Sequence, residues 1–394
     1  MSIRTYLLLT FSLIFLFLTI TDCKREGKDN VSMVTPTTTS SPYMTSFTPG
    51  LQISPVINPA SEVLGSTPVL TPIPSPSINS PQPSQKSYPY IFVTKWGSKG
   101  DKDNEFNTPL YITIDSDEYI YIEDFKLHHK VWIAKFDSSG KFITRWELTK
   151  GNAQMSVSSG LTVGGYNLIY TGECGEGQIY KFDCSGNLLT KWPVDRGAYG
   201  SITADSEGNI FTIGEPFIYK FTPDGKLINK WEISNYHGFN RGYRIGNAKI
   251  GPSGCIYLLQ YLISGDGHAK YHSIDKYDSN MKFITQWGYD SGISISSTNL
   301  IKKDEPQLPF ANHIRISMDS KENILVVNAE HNRIHIYDSS GKYIRKFGST
   351  GSGDGQFNKP IDLVGDKEGN IYVSDYGNCR IQKFSPNPDF NKNN

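Results

Sequence analysis

The chain has 394 residues, with 39 basic and 39 acidic side chains, 37% hydrophobic residues and 12% aromatic residues. A formal net charge of zero provides no long-range field to attract phosphates, which disfavours a nucleic-acid-binding protein. The 36 glycines, 23 tyrosines and 20 phenylalanines favour turns and strands over long helices. The length permits either several domains or one large all-β unit.

Residues 1–22 have the pattern of an export signal. Arg4 precedes an apolar run from Tyr6 to Ile20. As a helix this run would span about 23 Å, which is short of the roughly 30 Å hydrocarbon core of a bilayer. A signal peptide is therefore favoured over a permanent transmembrane helix.

The end of this run, Leu18-Thr19-Ile20-Thr21-Asp22-Cys23, resembles the lipobox of bacterial lipoprotein signal peptides. In that family the Cys becomes the lipidated first residue of the mature protein, which implies that Cys23 is acylated and anchors the chain to the lipid bilayer. Lys24 resembles the residue that directs sorting to the outer membrane. A plain secretory signal that contains a Cys is the alternative, because Asp22 stands where the family has a small residue.

Residues 23–88 read as the lipid-attachment Cys followed by a disordered linker. From Val31 to Gln85 Ser, Thr and Pro dominate, and Glu62 is the only charged residue. Such a segment has too few apolar side chains to offset the entropy lost on ordering. We expect a stalk that holds a folded domain away from the membrane.

The remaining sequence repeats one unit. The clearest copies of its second half are Ile133–Trp146 and Ile334–Phe347, two apolar strands joined by an Asp-Ser-Ser-Gly turn. A similar hairpin precedes each copy, so the unit has four strands. First strands are expected near Leu110, Leu161, Ser201, Ala248, Ile314 and Ile361, and third strands near Ile133, Ile179, Ile218, Ile274, Ile334 and Ile381.

Five of the six units have a fourth strand after their third strand. The last unit lacks one, and a segment with the same pattern, Ile91–Trp96, precedes the first unit instead. A ring in which this strand completes the last sheet removes two open edges. The prediction is an all-β fold, a six-bladed β-propeller with four antiparallel strands per blade over residues 89–390. The N-terminal strand closes it, and residues 391–394 form a disordered tail.

Gly355–Pro360 followed by Gly369–Phe384 closely resembles the repeat of the NHL-repeat propellers, and Asn332-Arg333-Ile334 and Glu105–Pro109 also match it. The resemblance implies the same six-bladed fold, of the bacterial NHL-repeat lipoprotein type, but is weak evidence of function. In this family Gly351–Gly355 corresponds to the loop that leads into a blade. Amidating lyases with NHL-like propellers hold a channel metal through His side chains.

The predicted turns between first and second strands and between third and fourth strands share one face and are short. Long segments are expected on the opposite face, at Glu123–Val131, Glu232–Asn247, Leu262–His272 and Gly288–Asn312. Because loops on a rigid scaffold usually carry binding residues, we place the site there. Candidate ligand-binding residues are a mixed basic and aromatic set suited to an anionic or sugar ligand: Tyr199, Arg241, Tyr243, Arg244 and His313.

The histidines show no recognised metal-ligand spacing, although His237, His268, His272 and His313 lie on or near this face. We expect no cofactor, with zinc or calcium in the central channel as the alternative. His331 and His335 fall at hairpin positions and are expected to be structural. Cys174 and Cys184 would be on the order of 12 Å apart in one hairpin, beyond the disulfide limit of about 7 Å, so no disulfide is expected.

No nucleophile elbow, P-loop or paired zinc Cys motif is present in the sequence. We therefore expect a non-catalytic binding or scaffold propeller that is exported, is anchored to the bacterial cell envelope and recognises an envelope protein or glycan. The alternative is a channel-metal-dependent lyase or hydrolase of the NHL-like propeller type. Zero net charge and export both argue against a nucleic-acid partner.

Overall fold

A computed structural model describes residues 89–126, 130–148, 158–173, 177–195, 201–233, 243–263, 269–288 and 314–390. These residues form β-strands and turns, with two short 3₁₀ turns at Gly165–Asn167 and Tyr376–Asn378. Within these ranges no helix is long and apolar enough to span a membrane.

Six sheets of four antiparallel strands make up the described part of the chain. We number the sheets as blades 1 to 6. Blades 1 to 3 comprise β4 (Pro109–Ile114), β5 (Ile120–Lys126), β6 (Lys130–Phe136), β7 (Phe142–Glu147); β8 (Ser158–Val163), β9 (Ile169–Glu173), β10 (Gln178–Phe182), β11 (Leu188–Pro193); and β12 (Ile202–Ala204), β13 (Ile210–Gly214), β14 (Phe217–Phe221), β15 (Leu227–Glu232).

Blades 4 to 6 follow the same plan. They comprise β16 (Tyr243–Ile250), β17 (Ile256–Ile263), β18 (Ala269–Tyr277), β19 (Phe283–Gly288); β20 (Ile314–Met318), β21 (Ile324–Asn328), β22 (Arg333–Tyr337), β23 (Tyr343–Phe347); and β26 (Pro360–Gly365), β27 (Ile371–Asp375), β28 (Arg380–Pro386) with β1 (Tyr90–Trp96). Two short parallel pairs precede blades 1 and 6: β2 (Ser98–Lys99) with β3 (Glu105–Phe106), and β24 (Ser349–Thr350) with β25 (Gln356–Phe357).

The blades form a closed ring. Each first strand contacts the first strands of both neighbouring blades, and β26 of blade 6 contacts β4 of blade 1. The N-terminal strand β1 pairs with β28, so that the last sheet has the order β1-β28-β27-β26. The prediction of a six-bladed propeller closed by its own N-terminal strand is confirmed.

The hydrophobic core lies between adjacent blades. Between blades 6 and 1, for example, Trp96, Ile381 and Tyr372 of blade 6 share one cluster with Ile112 and Phe136 of blade 1. The Ile that begins each second strand is buried in all six blades: Ile120, Ile169, Ile210, Ile256, Ile324 and Ile371. Each sheet packs against a neighbouring blade on both sides, so it needs apolar side chains on both faces. The repeated sequence provides them.

One face of the ring, which we call the tight-turn face, carries the turns within each hairpin. At Asp115 the side-chain Oδ1 accepts hydrogen bonds from the backbone N–H groups of Asp117 at 3.0 Å and Tyr119 at 2.8 Å. The same two-bond pattern occurs at Asp137, Asp183, Asp205, Asp278, Asp319 and Asp338. These carboxylates are used to hold turns, as is typical of Asx-turns.

The described chain enters and leaves the propeller at the tight-turn face. As a fourth strand, β1 begins at this face, and β28 ends there because it runs antiparallel to β1. The backbone N–H of Asn387 donates to the carbonyl oxygen of Pro89 at 2.8 Å, which holds the two ends together. The opposite face, which we call the long-loop face, carries the connections between blades.

Two strand-two-to-three connections are shorter than the sequence predicted. Glu123–Lys126 was expected in a loop but belongs to β5, which pairs with β6 as far as Lys126 opposite Lys130. Likewise β17 and β18 pair as far as Ile263 opposite Ala269, which places His272 in a strand. Because Glu123 and Asp124 are polar, the apolar pattern of the sequence ends at these residues, although the backbone pairing continues beyond them. The sequence interpretation therefore ended the strand too early.

Among the described residues, Cys184, Cys255 and Cys379 carry free thiols. Cys174 lies outside the described residues, so the predicted spacing between Cys174 and Cys184 stays a prediction.

Candidate ligand-binding channel

One residue in or directly before each first strand occupies the same register position, counted back from the turn that follows the strand. In each blade, the residue just after the first strand donates its backbone N–H to the carbonyl oxygen of the residue just before the second strand. We align the first strands on these six donor residues: Asp115, Gly164, Asp205, Gly251, Asp319 and Asp366. In each blade, one residue lies four positions earlier in the chain than this donor. We call these six residues the channel ring: Tyr111, Gly160, Ser201, Asn247, Arg315 and Asp362.

Three members of the channel ring link neighbouring first strands. Ser201 Oγ donates to the Ala248 carbonyl at 3.1 Å, and Asn247 Oδ1 accepts from the Ile316 N–H at 2.9 Å. Asp362 Oδ2 accepts from the Ile112 N–H at 3.3 Å. In each case the partner is the backbone of the next blade, one position after that blade's own ring residue. These polar groups hold the inner strands together.

Arg315 and Tyr111 behave differently, because they contact each other. The guanidinium carbon of Arg315 lies 4.2 Å from the centroid of the Tyr111 ring. Arg315 belongs to blade 5 and Tyr111 to blade 1, with blade 6 between them, so the Arg315 side chain reaches across the channel. In the described ranges no hydrogen-bond acceptor binds this guanidinium and no carboxylate oxygen lies within 4.0 Å of it.

Glu123 lies at the middle of β5, opposite the segment of β4 that contains Tyr111. The β4 strand has a bulge between Pro109 and Ile112, so two residues of β4 face this one position of β5. Bulges of this kind redirect side chains. Glu123 is only 1% exposed, and its Oε2 atom has no hydrogen-bond partner.

Burial raises the pKa of Glu123 to about 8, and the Ser158 hydroxyl and the charge of Arg315 oppose this rise. The nearby acidic groups Asp124 and Asp362 favour it. Glu123 is therefore mostly protonated at neutral pH, because removal of water disfavours a carboxylate more than the Ser158 hydroxyl and the Arg315 charge stabilise it.

The neighbouring acidic groups already have partners. Asp124 accepts hydrogen bonds from the backbone N–H groups of Asn107 at 2.9 Å and Thr108 at 2.6 Å. Burial raises the pKa of Asp124 to about 6, and these hydrogen bonds and Lys126 oppose the rise. Ser159 resembles Glu123 instead, because it is buried and its Oγ lacks a hydrogen-bond partner.

Of the predicted site residues, the structure describes only the backbone of Tyr243 and Arg244. Tyr243 and Arg244 form the start of β16, where they pair with Leu262 and Tyr261. Cys23, Tyr199, Arg241 and His313 lie outside the described residues, as do His237 and His268. The proposed constellation at the channel mouth therefore stays a prediction.

The sequence interpretation did not identify Arg315, Tyr111 or Glu123. A usable signal existed for Arg315, which interrupts an apolar first strand between Ile314 and Ile316. Aligning the first strands on their turn residues places Arg315 and Tyr111 at one level. The position of Glu123 depends on the β4 bulge, for which the sequence gives no clear sign.

Gly351–Gly355 is a structural loop. The guanidinium of Arg380 donates to the carbonyl oxygens of Ser352 at 2.7 Å and Gly353 at 2.9 Å, and its Nε donates to Asp375 at 2.8 Å. The side chain of Arg380 thus fixes the loop that leads into blade 6.

His335 is buried within blade 5, and burial lowers its pKa to about 4, with Lys346 and Arg333 adding to the effect. His331 lies near Asn328, with its Nδ1 3.2 Å from Oδ1 of that residue. Within the described ranges no group of three or more His, Cys, Asp or Glu side chains could hold a metal ion.

Comparison with known proteins agrees with the architecture. A family model described as a 6-bladed beta-propeller matches residues 280–390. An auxiliary nutrient binding protein from Bacteroides thetaiotaomicron VPI-5482 is 12% identical, with a TM-score of 0.50 over 75% of this chain and 72% of that one.

Two further solved structures show the same overall similarity. A structural genomics protein of unknown function from Bacteroides thetaiotaomicron VPI-5482 is 12% identical, with a TM-score of 0.50 over 74% of this chain and 76% of that one. A streptogramin B lyase is 17% identical, with a TM-score of 0.49 over 76% of this chain and all of the lyase (100%). At these identities the similarity concerns the fold alone.

Proposed function

We propose that this chain is an exported, lipid-anchored propeller of the NHL-repeat type that binds an envelope protein or glycan at its long-loop face without catalysing a reaction. The observation that carries the proposal is the distribution of hydrogen bonds. The Asp carboxylates that begin hairpin turns at the tight-turn face are bonded within those turns, whereas Arg315 has no hydrogen-bonded acceptor among the described residues and Glu123 Oε2 has no hydrogen-bond partner.

The direction of the chain supports the same orientation. The chain enters the propeller at the tight-turn face, where Pro89 and Asn387 are hydrogen bonded. An acylated Cys23 would therefore be joined, through a Ser/Thr/Pro-rich linker, to the tight-turn face and not to the proposed binding face. Because several acyl chains each contribute about 0.8 kcal/mol per buried CH₂, such an anchor needs no spanning helix.

Binding can be tested with the mature chain on a glycan array and in pull-downs from bacterial envelope extracts. Arg241→Ala combined with Arg244→Ala alters the proposed face, and Lys226→Ala combined with Lys342→Ala is the matched control on the tight-turn face. We expect the first pair alone to reduce retention of the bound glycan or protein. Equal retention by both pairs would contradict the proposal.

Anchoring is tested separately by palmitate labelling. Wild-type protein should incorporate label into the membrane fraction, and Cys23→Ser should not. Label that persists in Cys23→Ser would contradict lipidation at this residue. Stoichiometric zinc or calcium that survives dialysis of the purified chain would favour the channel-metal enzyme instead.

A further inference from the structure

We propose that Arg315, Tyr111 and Glu123 form a site for the carboxylate of a small organic ligand, in the long-loop half of the channel. The inference rests on the proposed binding function and specifies one ligand chemistry for it. The three side chains come from two different blades, so the site exists only in the closed ring.

Arg315 provides the positive charge. Arg315 is a partly buried residue, and in the described part of the chain its guanidinium has neither a hydrogen-bonded acceptor nor a carboxylate within 4.0 Å. Leaving a partly desolvated cation without an anion is unfavourable. A carboxylate can accept two parallel hydrogen bonds from the planar guanidinium, which matches this unused capacity.

Tyr111 orients the guanidinium. The 4.2 Å separation between the Arg315 guanidinium carbon and the Tyr111 ring centroid is typical of a stacked cation–π contact. A cation–π contact of this kind uses no N–H hydrogen bond of the guanidinium, so its donors are left for a ligand. Since the side chain is already positioned, a ligand would lose less binding energy to ordering it.

Glu123 contributes a hydrogen-bond donor. In its protonated form it carries an O–H group, and its unpartnered Oε2 lies buried beside the cluster. Asp362 does not compete for Arg315 in the same way, because its oxygens accept from the N–H groups of Ile112 at 3.3 Å and Leu363 at 3.0 Å. A ligand carboxylate could therefore accept from both the Arg315 guanidinium and the Glu123 hydroxyl, while the Asp362 oxygens stay bonded to backbone N–H groups.

Acidic sugars and amino-acid derivatives both carry such a carboxylate, and calorimetry can separate them. The probes are D-glucuronate and N-acetylglycine, with D-glucose and N-acetylglycinamide as their neutral counterparts and inorganic phosphate as a different oxyanion. We expect at least one carboxylate to bind the mature chain at pH 7 and both neutral counterparts to fail. Binding of phosphate alone, or of a neutral counterpart as tightly as its acid, would overturn the proposal.

Substitution of Arg315 tests the location. Arg315→Gln should weaken the bound carboxylate at least tenfold, and Arg315→Lys, which keeps the charge, should weaken it less. Arg345→Gln is the matched control, since Arg345 lies in the outer strand β23 against Phe390. Unchanged affinity in both Arg315 variants would overturn the proposal, as would equal losses in the Arg345 control.

The pH dependence tests the role of Glu123. The charged groups that act on it are Arg315 of blade 5, Asp124 of its own strand and Asp362 of blade 6, with the Ser158 hydroxyl of blade 2 also close. Affinity should fall as pH rises through about 8, where Glu123 ionises. Glu123→Gln keeps a donor and should abolish that fall. A fall that persists in Glu123→Gln would exclude this role.

These outcomes separate the carboxylate site from the broader function. If Arg315→Gln still retains the envelope partner but no carboxylate binds wild-type protein, the site is wrong and the proposed function stands. If carboxylates bind as expected and no envelope protein or glycan is retained, the proposed function fails.

Discussion

At the residue scale, Glu123 and Arg315 differ from the other polar side chains of the channel in their hydrogen bonding. Ser201, Asn247 and Asp362 each bind the backbone of the next blade. Arg315 instead stacks on an aromatic ring, and one oxygen of Glu123 has no partner. The first group stabilises the ring of blades, and the second is free to bind a ligand.

Glu123 also makes the stability of the fold depend on pH. Its pKa rises from an ordinary value of 4.5 to about 8 on folding, so between these values the folded state binds more protons than the unfolded state. The free energy of unfolding therefore decreases as pH rises through this window, by up to about 1.4 kcal/mol per pH unit. Above about pH 8 the penalty is complete.

Glu123→Gln removes this titration. We expect the variant to gain stability relative to wild-type protein as pH rises from 5 to 8, with a constant difference above that range. Urea unfolding at each pH measures the difference, and Glu232→Gln, on the exposed strand β15, serves as the control. A pH-independent difference for Glu123→Gln would show that Glu123 is ionised in the folded protein.

At the element scale, four of the five fourth-strand tryptophans pack on a turn glycine of the next blade. A Cβ atom built at Gly140, Gly186, Gly225 or Gly341 would collide with the indole of Trp96, Trp146, Trp192 or Trp287 respectively. At the corresponding turn of blade 4 stands Met281, whose side chain packs near Trp231. The turn glycine and the terminal Trp therefore recur together because they form one contact between blades.

Gly225→Ala tests this contact against a matched control. Gly225 has φ +83°, and a Cβ there would lie 2.5 Å from Trp192 Cδ2; Gly254 has φ +79°, with nothing within 4 Å of a Cβ. Both substitutions incur the left-handed backbone penalty of about 1–2 kcal/mol. Only Gly225→Ala should add the displacement of Trp192, so urea unfolding should show a larger loss for it. Equal losses would mean that the indole moves at no cost.

At the scale of the whole molecule, closure of the ring could be predicted from sequence, whereas the channel cluster could not. Ile91–Trp96 repeats the pattern of a fourth strand and stands where no first strand precedes it, so only a ring accounts for it. The meeting of Arg315 and Tyr111 depends on side-chain direction across the channel. The position of Glu123 opposite Tyr111 depends on a bulge in β4. Neither the side-chain direction nor the bulge produces a periodic pattern in the sequence.

Ring closure by β1 should dominate the stability of the propeller. Trp96 is buried between blades 6 and 1, with its ring centroid 5.9 Å from that of Phe136 and 6.2 Å from that of Tyr372. Loss of such a side chain alone typically costs about 3–5 kcal/mol. A chain that begins at residue 97 should therefore unfold at much lower urea than one that begins at residue 89. Coincident unfolding curves would contradict closure by β1.

The most direct test of the binding site is a crystal structure of the mature chain with D-glucuronate or N-acetylglycine, whichever binds more tightly in solution. We predict that the ligand carboxylate lies within hydrogen-bonding distance of both the Arg315 guanidinium and Glu123, with Arg315 still stacked on Tyr111. A ligand bound only elsewhere, with Arg315 in a direct ion pair with Glu123, would contradict this account.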